Sequence, residues 1–404
     1  MPRLSRVEVP LAMARGLVLA ADVVAPHPVP PFTNSAVDGY AVRASDTASV
    51  PVELTVTGAL AAGVASSAVV APGTAVRIMT GAPVPSGADA MVMVEDTVAA
   101  GDVAAGDVVA GDRVRVMRSA ATGDHVRPAG GDIAAGAVVL LRGDRLGPVH
   151  LGLLASVGVA VPVVSKRPVV AVLSTGDEIQ PPDTAALRPG MIRDANRPML
   201  VGLLAELGVE VRDLGIVPDD SRLLRSTLEE AAASCDAVVT SGGVSMGEHD
   251  LVKEVLAGLG RVEFWQVAMQ PAKPFAFGFL GDTPLFGLPG NPVSSMVAFE
   301  QFVRPGLLAA MGATRLFRPR IEAALAEPVS TSPEKAVFLR VAFIGPGVVR
   351  SAGGQASNVL SALAAADAFA VIPVGVGAVA VGDRVVVELF RADESRTLAE
   401  ATDD

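Results

Sequence analysis

The sequence predicts a multidomain α/β plus β-rich protein: a doubly wound α/β domain, two β-rich domains and a linking domain. Three observations carry that prediction. Strands and helices alternate between Lys166 and Thr314, as they do in domains built around a mostly parallel sheet. Residues 41–132 and 315–392 instead show short alternating runs rich in Val and Gly. The chain, at 404 residues and 50% apolar, is too long for one core and apolar enough for several.

In the α/β region, "PVVAVLS" (168–174) reads as a buried strand. "NRPMLVGLLAELG" (196–208) places Met199, Leu200, Leu203, Leu204 and Leu207 at helical spacing, with Gly208 as its stop. "VEVRDLGIV" is a strand, "SRLLRSTLEEAAA" a helix and "DAVVT" a strand. "DLVKEVLAGLG" is a helix. "RVEFWQV", "FAFGFL" and "TPLFGLPG" are strands, and one long helix starts at "NPVSS" and runs to Gly312. In the flanks, "VELTVTG", "TAVRIMTG", "DAMVMVED" and "RVRVM" read as strands with tight turns, and "AAGDVAAGDVVAGDR" as a hairpin loop. The expected domains are a discontinuous linking domain (1–40 and 133–165), a β-rich second domain (41–132), the α/β domain (166–314), a C-terminal barrel-like domain (315–392) and a charged tail (393–404).

Composition excludes several function classes. Asp plus Glu (43) exceeds Lys plus Arg (32), and a net charge of −11 disfavours nucleic-acid binding. No stretch has the length and apolarity of a membrane span, and the start lacks the apolar core of a signal peptide. The single cysteine, Cys235, permits no internal disulfide and reads as a small core residue. A soluble cytoplasmic protein is expected.

In an open parallel sheet, ligands sit beyond the carboxyl ends of the strands. Four such loops carry polar chemistry: "STGDE" (174–178), "VPDDS" (217–221), "TSGGVSMGEHD" (240–250) and "GLPGNPVS" (287–294). Each alone has a plain reading. Asp219, Asp220 or Ser221 would cap one helix and Asp250 the next, and Pro292 suits a first helical position. Caps do not explain the Gly242–Gly243 pair, which clears space for a ligand at the backbone. Backbone N–H groups there and at the helix start after Asn291 suit phosphate. Glu178, Asp219 and Asp250 would repel that anion unless a hard divalent cation such as Mg²⁺ joined them. Neither a G-x-G-x-x-G after a strand nor a Walker A motif is present, and no zinc-spaced His/Cys cluster exists.

"SGGVSMGEHD", "PAKPFAFG" and "GLPGNPVS" together resemble the molybdopterin molybdenumtransferase family, the MoeA and gephyrin E-domain proteins. "PPFTNSAVDGYAV" (30–42), "RIMTGAPVPSGADAMVMVE" (77–95) and "VRPAGGDIAAGAVV" (126–139) extend the resemblance over nearly the whole chain, in order. It implies an elongated homodimer whose α/β domain binds molybdopterin. It also implies Mg²⁺-dependent cleavage of adenylylated molybdopterin, with molybdate as second substrate, molybdenum cofactor and AMP as products, and a site shared between two subunits. Transient contact with the preceding adenylyltransferase and with recipient molybdoenzymes follows from the same likeness. Carried onto this sequence, catalytic roles fall on Asp38, Thr80, Arg127, Asp132, Asp219 and Asp250, the last two also as metal ligands. Binding roles fall on Glu178, Gly242, Gly243, Ser245, Lys273, Pro289, Gly290, Asn291, Ser294 and Ser357. Lys273 is one of four lysines beside 28 arginines. Three positions depart from the family pattern: Ala272 stands where glycine is usual, and Gln266 and Gln270 where some members have lysine. The adenylyltransferase itself is a single small domain, and the β-rich motifs argue against it. A pure scaffold would not need the full acidic set.

Overall fold

The computed structural model describes residues 1–64, 67–100, 110–243 and 251–391. Its α/β part is built on six strands: β1 (Val169–Thr175), β2 (Glu210–Val217), β3 (Ala237–Ser241), β4 (Gly260–Gln266), β5 (Pro274–Leu280) and β6 (Thr283–Leu288). They lie in the order β2-β1-β3-β6-β5-β4. β2, β1, β3 and β6 are parallel, whereas β5 and β4 are antiparallel additions. The reversal has a local cause. Only Gly281 and Asp282 separate β5 from β6, and Gly281 adopts φ +58°, the left-handed conformation of a two-residue hairpin. A parallel return needs a crossover of a dozen residues or more.

The sheet is covered on both faces. Val170 and Val172 of β1 pack in one apolar cluster with Leu200, Leu204 and Leu207 of the helix Asn196–Leu207. Ala171 and Leu173 point the other way, to Leu224 and Leu228 of the helix Ser221–Ser234. Strand alternation thus feeds two cores. The first helix ends at Gly208, whose φ of +81° makes the expected left-handed stop. The long helix read from Asn291 to Gly312 is interrupted. It runs as α over Pro292–Ala298, as π over Phe299–Val303 and as α again over Arg304–Ala310. Pro305 has no N–H to give the carbonyl four residues earlier and crowds it, and the wider turn absorbs that clash. Cys235 is only half-buried, at the end of a helix rather than inside the core.

Two further sheets flank this unit. One has the strands Ala90–Met93, Gly39–Val42, Thr74–Ile78, Val52–Leu60, Arg113–Val116 and Thr97–Ala99, in that order. The "AAGDV" repeat lies mostly outside the described residues, but the strands on either side of it pair antiparallel. In the C-terminal sheet, Ala336–Gly345 pairs with Val348–Ser351 on one side and Ala368–Ile372 on the other, which closes the strands on themselves. A separate apolar cluster joins Leu17, Val18 and Leu19 to Leu140, Leu146, Leu154 and Val164.

The junction between the α/β unit and the C-terminal sheet is tied in two ways. Met269–Gln270 pairs in parallel with Ala336–Val337, so a short strand beside the α/β sheet belongs to the other sheet. Glu300, on the π turn and fully buried, receives two 2.9 Å hydrogen bonds from Arg318. Arg304 Nε lies 3.7 Å from the same carboxylate, so two guanidinium groups compensate this buried charge.

Candidate functional site

β1 feeds β2 on one side of itself, while β3 lies on its other side. The crevice beyond the carboxyl ends of β1 and β3 is therefore the topological switch point, where open α/β sheets bind ligands. Three of the four loops singled out in the sequence meet along this edge within the described residues, and part of the fourth does. Ser245 and Asp250 lie outside the described residues.

The second loop separates two neighbouring acids. Asp220 caps the helix at Ser221, its carboxylate accepting 2.9 Å hydrogen bonds from the N–H groups of Arg222 and Leu223. Those bonds hold its pKa below the ordinary carboxylate value. Asp219 is exposed, and its carboxylate has no hydrogen-bond partner among the described residues. Its backbone N–H instead donates to Asp177 Oδ1 at 3.0 Å, which ties the loop after β2 to the loop after β1. Glu178 is exposed beside them, its carboxylate folded over Gly176.

Gly242 and Gly243 hold φ values of +92° and +67°. At Gly242 a side chain is excluded first by the protein itself, since a Cβ there would lie 2.9 Å from the carbonyl oxygen of Thr175. At Gly290 a Cβ would meet nothing within 4 Å, so that position faces open space. Asn291 is exposed, and Pro289 and Ser294 are buried behind it. The carbonyl of Pro289 accepts a hydrogen bond from Ser295 Oγ. The helix start offers fewer free donors than its sequence implies, because Val293 N–H already donates to the carbonyl of Ser357 at 3.1 Å. That contact also brings the C-terminal loop carrying Ser357 to this edge.

Lys273 is exposed between the short strand Met269–Gln270 and β5. The preceding Ala272 is buried and adopts φ +76°, a conformation that favours glycine. A glycine would take this conformation without strain.

Asp38, Thr80, Arg127 and Asp132 form a second group on the β-rich side. Thr80 donates to Asp38 Oδ1 twice, from its backbone N–H at 2.6 Å and from its hydroxyl at 2.8 Å. The backbone bond, then the hydroxyl bond, hold the Asp38 carboxyl below its ordinary pKa. Arg127 pairs with Asn34 in a short antiparallel ladder, four residues before Asp38, and its side chain is exposed. Asp132 is exposed, its N–H bonded to the carbonyl of Val29 at 3.0 Å. Among the described residues, no hydrogen bond or ion pair links this group to the α/β edge.

Several positioning groups were not singled out in the sequence. Asn196 is 8% exposed, and its amide donates to Ser241 Oγ at 2.8 Å and to the carbonyl of Gly290 at 2.7 Å. Asp194, 5% exposed, accepts from Ser174 Oγ at 3.0 Å and pairs with Arg197 at 2.8 Å. Arg340 is wholly buried and donates to the carbonyls of Gly354 and Ala356, holding the loop that carries Ser357. Polar residues at a helix start ("DANR") and a charge inside an apolar strand ("VFLRVAF") were the available signals.

Comparison with known proteins places these features in a family. Residues 1–158 match the MoeA N-terminal region (domain I and II), residues 171–309 a family described as "Probable molybdopterin binding domain", and residues 322–390 the MoeA C-terminal region (domain IV). Molybdopterin molybdenumtransferase 2 of Mycobacterium tuberculosis H37Rv is 42% identical over 392 residues, covering 94% of each chain. The chain belongs to the molybdopterin molybdenumtransferase family. The Haemophilus influenzae molybdopterin molybdenumtransferase is 38% identical over 388 residues, covering 94% of this chain and 93% of its own. A crystal structure of the molybdopterin biosynthesis MoeA protein from Pyrococcus horikoshii OT3 superposes with a TM-score of 0.80 at 30% identity, covering 96% of each chain. The family is one of molybdenum-cofactor biosynthesis, and the multidomain α/β and β-rich architecture is shared with the solved structures. No helix among the described residues is long and apolar enough to cross a membrane.

Proposed function

We propose that this protein inserts molybdate into adenylylated molybdopterin and releases AMP, and that the crevice at the switch point holds the substrate. The observation that carries the reading is the contrast at Asp219 and Asp220. Asp220 is consumed by its helix, while the exposed Asp219 carboxylate, on the loop at the edge where ligands bind, has no partner among the described residues. The names of the full-length relatives support the substrate class.

Mg²⁺ fits the donor chemistry. Asp177, Glu178 and Asp219 offer hard oxygen atoms on adjacent loops, although no described residues form a closed cluster of three or more metal-binding side chains. An ion held by one or two carboxylates that keeps waters and substrate phosphate oxygens has that pattern. Asp219 and Asp250 would hold it, and when bound it supplies charge neutralisation at the pyrophosphate. The chain's own groups do the rest. The backbone at Gly242, Gly243 and Gly290 lets the terminal phosphate of the pterin approach closely, Lys273 supplies a compact positive charge, and Glu178 accepts from donors on the pterin ring edge. Asn291, Ser294 behind it and Ser357, whose carbonyl meets Val293 N–H, complete the proposed binding set. On the β-rich side, the Arg127 guanidinium suits the tetrahedral molybdate dianion, and Thr80 would join it by turning its hydroxyl from Asp38, which otherwise takes both Thr80 donors and fixes that loop.

The two groups of residues act together in this reading only when a homodimer brings the β-rich side of one subunit to the α/β edge of the other. A cytoplasmic location, the domain division given above, and transient contacts with the preceding adenylyltransferase and with recipient molybdoenzymes complete the proposal. The direct test is to incubate the protein with adenylylated molybdopterin, Mg²⁺ and molybdate. AMP and cofactor able to activate a molybdoenzyme apoprotein are expected in equal amounts, and absence of both would overturn the assignment.

A further inference from the structure

We propose that Asn196 is a positioning residue that clasps the two glycine loops of the crevice and sets the affinity for substrate. The inference rests on the reading of that crevice as the substrate site. One side-chain amide makes both contacts. It reaches Ser241 Oγ, directly before Gly242–Gly243, and the carbonyl of Gly290, in the loop after β6. These loops follow neighbouring parallel strands, β3 and β6. A carbonyl only accepts, so the nitrogen of the amide must face Gly290 and its two hydrogens serve the two loops. Asn196 is itself well anchored. It begins a helix whose Leu200, Leu204 and Leu207 are buried, and Asp194, two residues before it, is fixed by Ser174 and Arg197. The donor therefore cannot follow a loop that drifts. The clasp joins positions 196, 241 and 290; its Ser241 arm is buried, where an unmade hydrogen bond is not replaced by solvent, and its Gly290 arm is partly buried behind an exposed glycine.

No other residue type of that size does this. Aspartate has the same shape but at most one hydrogen to give, and alanine has none. Neither loop depends wholly on Asn196, since Gly242 N–H also bonds the carbonyl of Leu288. Its loss should therefore loosen the crevice without unfolding the domain.

The test measures amide exchange without substrate and substrate affinity separately. In Asn196→Ala and Asn196→Asp, exchange at 242–243 and at 290–291 should accelerate together, by up to about tenfold, the net weight of one hydrogen bond. KM for adenylylated molybdopterin should rise by about tenfold with kcat nearly unchanged, the pattern of lost uniform binding. Ser241→Ala removes one arm only and should accelerate exchange at 242–243 while sparing 290–291; it decides the question if the Asn196 variants do not fold. Unchanged exchange, or acceleration equal in Ala but absent in Asp, would overturn the clasp and show that Asn196 merely fills space. Acceleration at both loops with unchanged substrate affinity would instead overturn the reading of this crevice as the substrate site, and the binding role of Asn196 with it.

Discussion

The two groups of candidate residues differ in how their carboxylates are held. On the β-rich side, Asp38 is locked by two bonds from Thr80 and its pKa is depressed. On the α/β edge, Asp219 has its backbone tied by Asp177, and its carboxylate has no partner among the described residues. A carboxylate already engaged by its own protein shapes a loop; one left open can meet a cation or substrate. Sequence position does not separate these roles, since Asp219 and Asp220 are adjacent and fall on opposite sides of the distinction.

The largest expected effect tests that split directly. Asp219→Ala should fold normally and lose about 10²–10⁴ in the rate of AMP release, as removal of a catalytic group typically does. Asp220→Ala should keep its rate and lose roughly 1 kcal/mol of stability, the usual weight of an N-cap. Thermal melts and AMP assays on both variants read the two quantities, and the reverse pattern would dissolve the comparison.

Whether the two groups form one site is sharpened by subunit mixing. Asp132→Ala and Asp250→Ala are each expected to be inactive. Random reassociation makes about half the dimers mixed, and in those one composite site carries both defects and the other none. About a quarter of wild-type AMP release should then return if the sites act independently. Mixed dimers with no recovered activity would place all the acids of a site in one chain.

Lys273→Arg comes next in size. A planar guanidinium does not replace a compact ammonium, and titration with adenylylated molybdopterin should show weaker binding, by about tenfold if one charge-assisted contact is lost. Unchanged affinity would make Lys273 a solvated lysine. The smallest effect belongs to the locked carboxylate. Thr80→Ala removes the hydroxyl bond but keeps the stronger backbone bond, so the Asp38 pKa should rise yet stay below its ordinary value, as read by carboxyl NMR titration. Because the folded pKa lies below the unfolded one, this contact stabilises fully above the ordinary carboxylate range. Its contribution fades only as pH falls through the folded value. Loss of activity between neutral pH and pH 5 would therefore not come from protonating Asp38.

Much of this was legible without coordinates, because it depends on neighbours in the chain. Apolar spacing over 196–207 dictates a helix, Gly208 ends it, and strand–helix alternation dictates a doubly wound sheet whose loops share one edge. The motifs in those loops were sufficient to indicate the family. What the tertiary structure decided are relations between distant residues. It made Asp220 the cap and left Asp219 open, carried Ser357 to Val293, attached Met269–Gln270 to the C-terminal sheet and placed one amide between Ser241 and Gly290. Local sequence can offer a donor and an acceptor, but the free energy of joining them depends on burial and on the partners already taken. Those are properties of the packed molecule, where water no longer competes for the bond.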